Sequence, residues 1–392
     1  MLESAHLLGQ SVAMNERTSI QQFDHFIPAS TTSLMQKLQK SGLSEQQLTV
    51  IHQIKQILSF QFYQKLVDLK KLYQPFNPDR ELIPEDSNTD AATCINALKQ
   101  VLTAANYTEL NREQIEYALL KTSPYGLEVH IDFDHFEEVL LFYRGKSQSS
   151  IQVRDWKRLF LKKKTVTLIN YQRLFLLLRY KDQQHKPGIH LKLFKDILRP
   201  DLEMLFPESK IRMKLFDKIK LGVTGGGGTV GGLLATIGKI TAAVNPWTIV
   251  IAAAGFAMLI WRQVSKIFIQ RTRYMVTLAQ NLYFHNMDNN AGAISYLIDL
   301  ARQEEIKETL LAYALLNLQS LDSQEQLDNA CETWFNEQYG KMIDFDVKDA
   351  LGKLQQLGLL NPAQEKLSCR TPEAIIPELN QLWNSYIVAE EQ

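Results

Sequence analysis

The sequence predicts an α+β fold that is mostly helical, and three observations support this prediction. Apolar residues recur at spacings of three and four over most of 23–121 and again after residue 262, which is the period of amphipathic helices. Between residues 127 and 194, short segments rich in β-branched and aromatic residues are separated by turn signals, which favours a small antiparallel sheet. An apolar, glycine-rich stretch over 221–268 predicts a transmembrane helical hairpin.

Composition bounds the class of protein. A chain of 392 residues has room for two or three domains, and 22% charged with 45% apolar residues is an ordinary globular balance. The formal net charge of zero argues against a general nucleic-acid coat. Three widely spaced cysteines, Cys94, Cys331 and Cys369, fit neither a disulfide framework nor a zinc site, so reduced thiols are expected.

The first half of the chain is divided into three parts. Residues 1–20 are predicted to be a flexible tail and residues 21–125 a helical region, which prolines interrupt near residue 80. Residues 126–220 are predicted to be an α+β region that ends in a helix over Asp201–Lys220. Its strands are expected at Leu127–Phe133, Glu138–Arg144, Lys164–Tyr180 and Ile189–Phe194, although part of the third segment could be helix.

The predicted membrane hairpin covers residues 221–268. Its two legs are roughly Leu221–Gly238 and Trp247–Phe268, and a single span over 240–261, which holds 22 uncharged residues, is the alternative. Glycines near its start are interpreted as close packing of membrane helices: Gly225, Gly226, Gly227, Gly228, Gly231 and Gly232. The same run formally matches a dinucleotide fingerprint, but no strand is expected before it and no acidic residue follows at the required spacing.

Two groups of basic residues stand out. The first group flanks the predicted hairpin as a juxtamembrane set and predicts that both soluble parts lie on the cytoplasmic side: Lys214, Lys218, Lys220, Arg262, Lys266, Arg271 and Arg273. The second group surrounds Leu159–Leu161 and is interpreted as a solvated surface: Lys157, Arg158, Lys162, Lys163 and Lys164.

The C-terminal part is predicted to be helical. Residues 269–320 form a helical region, and residues 325–390 a winged-helix-like module with a short wing over Leu360–Arg370. Its second helix carries Val347, Leu351 and Leu354 on one stripe, with Asp344 or Asp346 as its N-cap. Acidic residues dominate the approach to this helix, so a protein-interaction module is favoured over DNA binding.

The sequence predicts no catalytic, cofactor-binding or metal-binding residues, so an enzyme is not expected. Glu304, Glu305 and Glu308 lie within one helical turn, but Lys307 lies among them, and a solvated helix face is the preferred interpretation. The cluster His130, Asp132, Asp134 and His135 is interpreted as a polar sheet face or turn rather than a metal site.

Several blocks resemble a catalogued family of unknown function. They are YQKLVDLKKLYQPFNPDRE (63–81), FEEVLLFYRG (136–145), the block over 191–233 and NNAGAISYLIDLARQEEIKETLLAYALL (289–316). These blocks resemble domain-of-unknown-function family 3754, whose animal member is called transmembrane protein 143. The resemblance implies a membrane protein with paired transmembrane segments and carries no established activity.

The predicted function is a membrane-anchored scaffold or interaction protein, and the alternative is a membrane transport or channel-like component. The expected partners are a lipid bilayer, a further copy of the chain and an unidentified protein, with nucleic acid unfavoured and no cofactor. The predicted localisation is the bacterial inner membrane with the soluble parts cytoplasmic, in preference to a mitochondrial or plastid membrane.

Overall fold

The computed structural model describes residues 25–80, 90–120, 127–130, 133–154, 163–183, 187–206, 210–213, 283–361 and 366–390, with Met258 and Trp261. The α-helices of these residues are α1 (Thr31–Gln39), α2 (Glu45–Tyr73), α3 (Ala91–Ala104), α4 (Arg112–Leu120), α5 (Asn290–Leu318), α6 (Gln324–Tyr339), α7 (Val347–Gln356) and α8 (Pro372–Glu390). The strands are β1 (Thr108–Leu110), β2 (Leu127–His130), β3 (Phe136–Arg154), β4 (Lys163–Tyr180), β5 (Ile189–Leu198), β6 (Lys210–Met213) and β7 (Asn286–Asn289).

Local sequence signals set several helix ends. Ser44 begins α2 through a capping box with Gln47, in which each side chain bonds to the backbone N–H of the other residue. Asp346, one of the two predicted candidates, caps α7 by accepting a hydrogen bond from the backbone N–H of Asp349. Gly340 ends α6 in the left-handed conformation that favours glycine. After α7 an isolated antiparallel bridge joins Leu360 to Cys369 before α8 begins.

The sheet is antiparallel with the strand order β1-β3-β4-β5-β7, and β2 pairs with β6 in a second, two-stranded sheet. Strand β3 extends ten residues beyond the predicted end at Arg144, because residues 146–154 pair with β4; Gly145 lies within the strand at a φ of +76° and does not form a turn. The predicted helix over Asp201–Lys220 is also corrected. Residues Arg199–Leu205 form a 3₁₀ helix and residues Lys210–Met213 form β6, which is stabilised by its distant partner β2.

Two 29-residue helices connect two hydrophobic cores. The first half of α2, the second half of α5 and the helices α1, α6, α7 and α8 form a helical core. The second half of α2, the first half of α5, α3 and one face of the sheet form a second core. The two long helices pack together and therefore run antiparallel through both cores. The other face of the sheet forms a third core with the 3₁₀ helix after β5.

The membrane part of the predicted fold class is wrong on the evidence of the described helices. None of the helices in the described ranges is both long enough and apolar enough to cross a bilayer, which requires about 20 predominantly apolar residues. The two longest helices show the physical reason, since both α2 and α5 carry lysines and acidic residues in their interiors. The predicted hairpin over 221–268 lies outside the described residues apart from Met258 and Trp261. The same finding contradicts the predicted integral-membrane localisation.

Gly188 provides a test of the packing between α2 and β5. Its φ is +88°, and a Cβ atom there would lie 2.3 Å from the carbonyl oxygen of Phe76, so Gly188→Ala adds a backbone clash to left-handed strain. We expect urea unfolding to show a loss of about 2–4 kcal/mol.

Two matched glycines separate these effects. Gly42 has a φ of +97° in open space, so Gly42→Ala should cost only the strain of about 1–2 kcal/mol. Gly352 lies in α7 in open space, so Gly352→Ala should stabilise the protein by about 0.5–1 kcal/mol. An equal effect of the Gly188 and Gly42 substitutions would contradict the proposed clash.

Candidate functional site

Three charged side chains meet in the interior where the sheet contacts α5, and we call Arg144, Glu304 and Lys307 the ion centre. The guanidinium of Arg144 on β3 donates a hydrogen bond of 2.5 Å to Glu304 Oε1. Lys307 Nζ donates to the same oxygen at 2.7 Å. The three side chains are only 9%, 2% and 4% exposed, so their charges are held largely away from water. An ion pair in such surroundings requires close partners to offset its lost hydration.

Residues 25–27, called the strap, close the ion centre from the N-terminal side. The backbone N–H of Ile27 donates to Glu304 Oε2 at 3.0 Å, and Lys307 Nζ donates to the carbonyl of Ile27 at 2.5 Å. The ring of Phe26 lies 4.2 Å from the Arg144 guanidinium carbon, within the range of a cation–π contact. The strap therefore supplies a donor, an acceptor and an aromatic face to the three charges.

Glu308 lies one helical turn beyond Glu304 and is also buried. Asn106, which follows α3, donates from Nδ2 to Glu308 Oε1 at 2.8 Å and to the carbonyl of His25 at 3.1 Å. Burial raises the pKa of Glu308 well above its ordinary value, and the hydrogen bond from Asn106 opposes this shift only in part. Burial likewise lowers the pKa of Lys307, whereas the carboxylate of Glu304 raises it.

The predicted solvated face of three glutamates is wrong. As whole residues, Glu304, Glu305 and Glu308 are 1%, 5% and 2% exposed. Glu305 lies 2.8 Å from Lys353 Nζ on α7, so each of the three acids contacts a residue on another element. The helical spacing of these acids was visible in the sequence, but their partners on β3, α7 and the segment after α3 were not.

The structure describes three of the four residues that were predicted to form a polar sheet face or turn over 130–135. His130 ends β2 and Asp134 and His135 lie in a 3₁₀ turn, while Asp132 lies outside the described residues. Across the described ranges, no group of three or more His, Cys, Asp or Glu side chains could hold a metal ion.

The two longest strands, β3 and β4, continue past the rest of the sheet. Strand β5 pairs with β4 only as far as Asn170, and β1 pairs with β3 only over 141–143. Beyond these limits, β3 and β4 pair with each other from Gln148↔Ile169 to Arg154↔Lys163. We call residues 148–154 and 163–169 the β-ribbon. Its seven residue pairs extend about 20 Å at 3.4 Å per residue, and within the described sheet its outer edges face no further strand.

The base of the β-ribbon, residues 143–146 and 171–173, is called its root, and side-chain contacts close to the ion centre hold it. The rings of Tyr143 and Tyr171 lie 5.2 Å apart, and Lys146 Nζ lies 4.3 Å from the Tyr143 ring centre. A Cβ atom at Gly145 would lie 2.7 Å from Gln172 Oε1, so the end of that side chain packs directly against the glycine. The root of the β-ribbon is therefore packed, and it begins next to Arg144.

The β-ribbon and the residues on either side of it carry a large excess of positive charge. Residues 139–181 contain one acidic residue, Asp155, and eleven basic ones. Within β3 and β4, Arg144, Lys146 and Arg173 lie at the root and Arg154, Lys163 and Lys164 at the outer end, whereas 147–153 and 165–172 are uncharged. Of the basic group predicted as a solvated surface, Lys163 and Lys164 lie in β4 at the end of the β-ribbon, and Lys157, Arg158 and Lys162 lie outside the described residues. Sequence reasoning missed this placement because β3 was predicted to end at Arg144.

The residues predicted to pack or flank membrane helices cannot be placed by the structure. They lie outside the described residues: Gly225, Gly226, Gly227, Gly228, Gly231, Gly232, Lys214, Lys218, Lys220, Arg262, Lys266, Arg271 and Arg273. Their roles remain predictions.

Comparison with protein families finds one match. Residues 136–292 match the family described as "Protein of unknown function (DUF3754)", which confirms the predicted resemblance to that family. The match does not confirm the further likeness to transmembrane protein 143. It starts at the first residue of β3 and ends in the first turn of α5, so it includes the whole β-ribbon and Arg144 but not Glu304. No solved structure matches the chain.

The ion centre predicts a strong effect for one isosteric change. Glu304→Gln leaves Arg144 and Lys307 buried without their shared carboxylate, so we expect a loss of about 3–5 kcal/mol in urea unfolding. The control is Glu116→Gln, which breaks an exposed ion pair with Arg112 and should cost less than about 0.5 kcal/mol. Similar losses for both variants would show that the ion centre contributes no more than a surface pair.

Glu308 predicts a pH dependence of stability. Because its pKa is raised in the folded state, its buried carboxyl destabilises the protein increasingly as the pH rises above the unfolded value near 4.5. Glu308→Gln removes this ionisation and should raise the free energy of unfolding by about 1–3 kcal/mol at pH 7.5, with the gain shrinking towards pH 4.5. Glu109→Gln, at an exposed position on β1, should change stability little at either pH. A pH-independent effect of Glu308→Gln would contradict this assignment.

Proposed function

We propose that this chain, whose residues 136–292 form its DUF3754 region, is an interaction protein that binds an acidic, extended segment of a partner protein along its β-ribbon. The observation that carries the proposal is the β-ribbon itself, a paired extension of the sheet with an uncharged middle and basic residues at both ends.

The edges of the β-ribbon suit a peptide strand. An outer strand presents a row of backbone N–H and C=O groups that an additional strand can pair with. The stretch Ser147–Val153 contains no charge and no proline, so nothing in its sequence blocks such pairing. Main-chain hydrogen bonds would supply affinity there, and the charges at either end would select the partner.

The charges favour an acidic partner. Lys146 and Arg173 lie at the root, and Arg154, Lys163 and Lys164 lie at the outer end, whereas Arg144 is buried against Glu304. A second copy of the same strand, paired antiparallel, would bring one copy's basic end against the other's basic root. Like charges at close range disfavour that arrangement. An acidic segment meets attraction at both ends.

A nucleic acid fits this distribution less well. A two-stranded ribbon can enter the major groove, and phosphate binding favours basic residues spaced along the contact. Here the middle of the ribbon is uncharged on both strands. The earlier alternative of a transport role depended on the predicted membrane helices and has no support from the described residues.

The proposal predicts that removing the β-ribbon abolishes binding without unfolding the protein. In the truncated variant, residues 149–168 are replaced by Asn-Gly, which favours a two-residue hairpin turn between Gln148 and Ile169. The probe is a fluorescein-labelled 20-residue peptide of alternating Glu and Val, measured by fluorescence anisotropy with the full chain. We expect saturable binding to the unmodified protein and none to the truncated variant.

Charge variants provide the matched control. Arg154→Glu, Lys163→Glu and Lys164→Glu together should weaken peptide binding at least about tenfold, or about 1.4 kcal/mol. Lys40→Glu, Lys70→Glu and Lys71→Glu change the net charge equally at exposed positions on the helices and should have little effect. Equal weakening by both sets would overturn the proposal. So would tighter binding of a 20-base-pair DNA duplex that is lost in the truncated variant.

A further inference from the structure

Two arginines lie directly opposite each other at the root of the β-ribbon. Arg144 on β3 pairs in register with Arg173 on β4. Arg144 reaches Glu304 on α5, and Arg173 Nε donates to the hydroxyl of Tyr296 on the same helix at 3.5 Å. Like charges in directly opposed positions destabilise a sheet. This arrangement therefore requires a compensating negative group, and Glu304 supplies one to Arg144 alone.

Two buried hydrogen-bond donors in this region have no partner among the described residues. They are the hydroxyl of Tyr107 and Nε of Arg144. Tyr107 is 6% exposed and Arg144 is 8% exposed, so bulk solvent does not satisfy either atom. Buried polar atoms in folded proteins are almost always hydrogen-bonded, and exceptions call for an explanation.

The groups around Tyr107 carry excess positive charge. Burial raises the pKa of Tyr107, so its hydroxyl is neutral and can donate. Tyr107 packs in the core under the face of the sheet that carries Phe142 and Phe175, the strand neighbours of Arg144 and Arg173 on that face, and the charges of both arginines act against the shift. Arg144 and Arg173 each contribute a positive charge, and Glu304, which also accepts a hydrogen bond from Lys307, contributes one negative charge.

The neighbouring acids do not restore the balance. Glu308 has a strongly raised pKa, which favours its neutral form, and Glu305 is engaged with Lys353. A small anion between the two arginines would reduce the imbalance and accept hydrogen bonds from the unpartnered donors.

We propose that Tyr107, Arg144 and Arg173, with Tyr296 beside them, form a binding site for a small tetrahedral oxyanion of the inorganic phosphate class. A tetrahedral oxyanion has enough acceptor oxygens for all four side chains, and charge-assisted hydrogen bonds from arginine are among the strongest available. Arg173 is only partly buried, so the anion enters from its side. Because the other two donors are deeply buried, the site suits a free small anion rather than a phosphate on a macromolecule. The argument for this site does not rest on peptide binding by the β-ribbon, although Arg173 belongs to both proposed sites.

The test uses the full chain and equilibrium dialysis against radiolabelled inorganic phosphate. We expect saturable binding of one phosphate per chain, displaced by sulfate and not by an equal concentration of acetate or chloride. Arg173→Gln should weaken binding at least tenfold. It also removes the repulsion with Arg144, so the variant should remain folded in thermal melts followed by circular dichroism. Tyr107→Phe removes only the hydroxyl and should weaken binding several-fold.

Two further variants complete the design. Arg173→Lys keeps the charge and should restore part of the affinity lost in Arg173→Gln. Arg112→Gln removes an arginine on the exposed surface and should leave phosphate binding unchanged. Absence of saturable binding, displacement by chloride as readily as by sulfate, or equal binding by folded Arg173→Gln would each overturn the proposal.

Discussion

The hydrogen-bonded charges of Arg144, Glu304 and Lys307 connect the parts of this protein that the chain itself keeps far apart. Arg144 and Glu304 are separated by 160 positions, and Ile27, which bonds to both Glu304 and Lys307, lies 277 positions before Glu304. Desolvating three charges is costly, and well-packed apolar groups often give equal stability. We interpret the ion centre as a device for register, because its hydrogen bonds join β3, α5 and the strap in one particular alignment.

The two long helices extend the effect of this alignment to both hydrophobic cores. Helices α2 and α5 each contribute to both the helical core and the core under the sheet, so a shift at the ion centre would disturb both. Tyr73, at the end of α2, closes the opposite end of the pair by donating to the carbonyl of Ile189. The β-ribbon therefore projects from a sheet whose position is set by two packed cores rather than by a flexible connection.

The distribution of charge along the β-ribbon is consistent with a ribbon that projects from a fixed sheet. Proteins commonly protect open strand edges by placing lysine or other charged residues along them. Here the charges stand at the two ends and leave seven neutral residues over 147–153. The basic root coincides with Arg144 and Arg173, so the proposed peptide site and the proposed oxyanion site share one positively charged region. The sites differ in depth, because the peptide contacts the outer edge while the anion reaches Tyr107 in the interior.

The sequence by itself determined the features that depend on neighbouring residues. Its periodicity predicted a helical region over 269–320, in which α5 covers Asn290–Leu318, and an N-cap at Asp344 or Asp346, of which Asp346 caps α7. Its motifs indicated the DUF3754 family. Only the tertiary structure decided that Glu304, Glu305 and Glu308 are buried, that β3 continues past Gly145 and that Lys210–Met213 is a strand. The physical reason is common to all three: each outcome depends on a partner distant in sequence, and a local pattern of charge or turn residues carries no record of that partner.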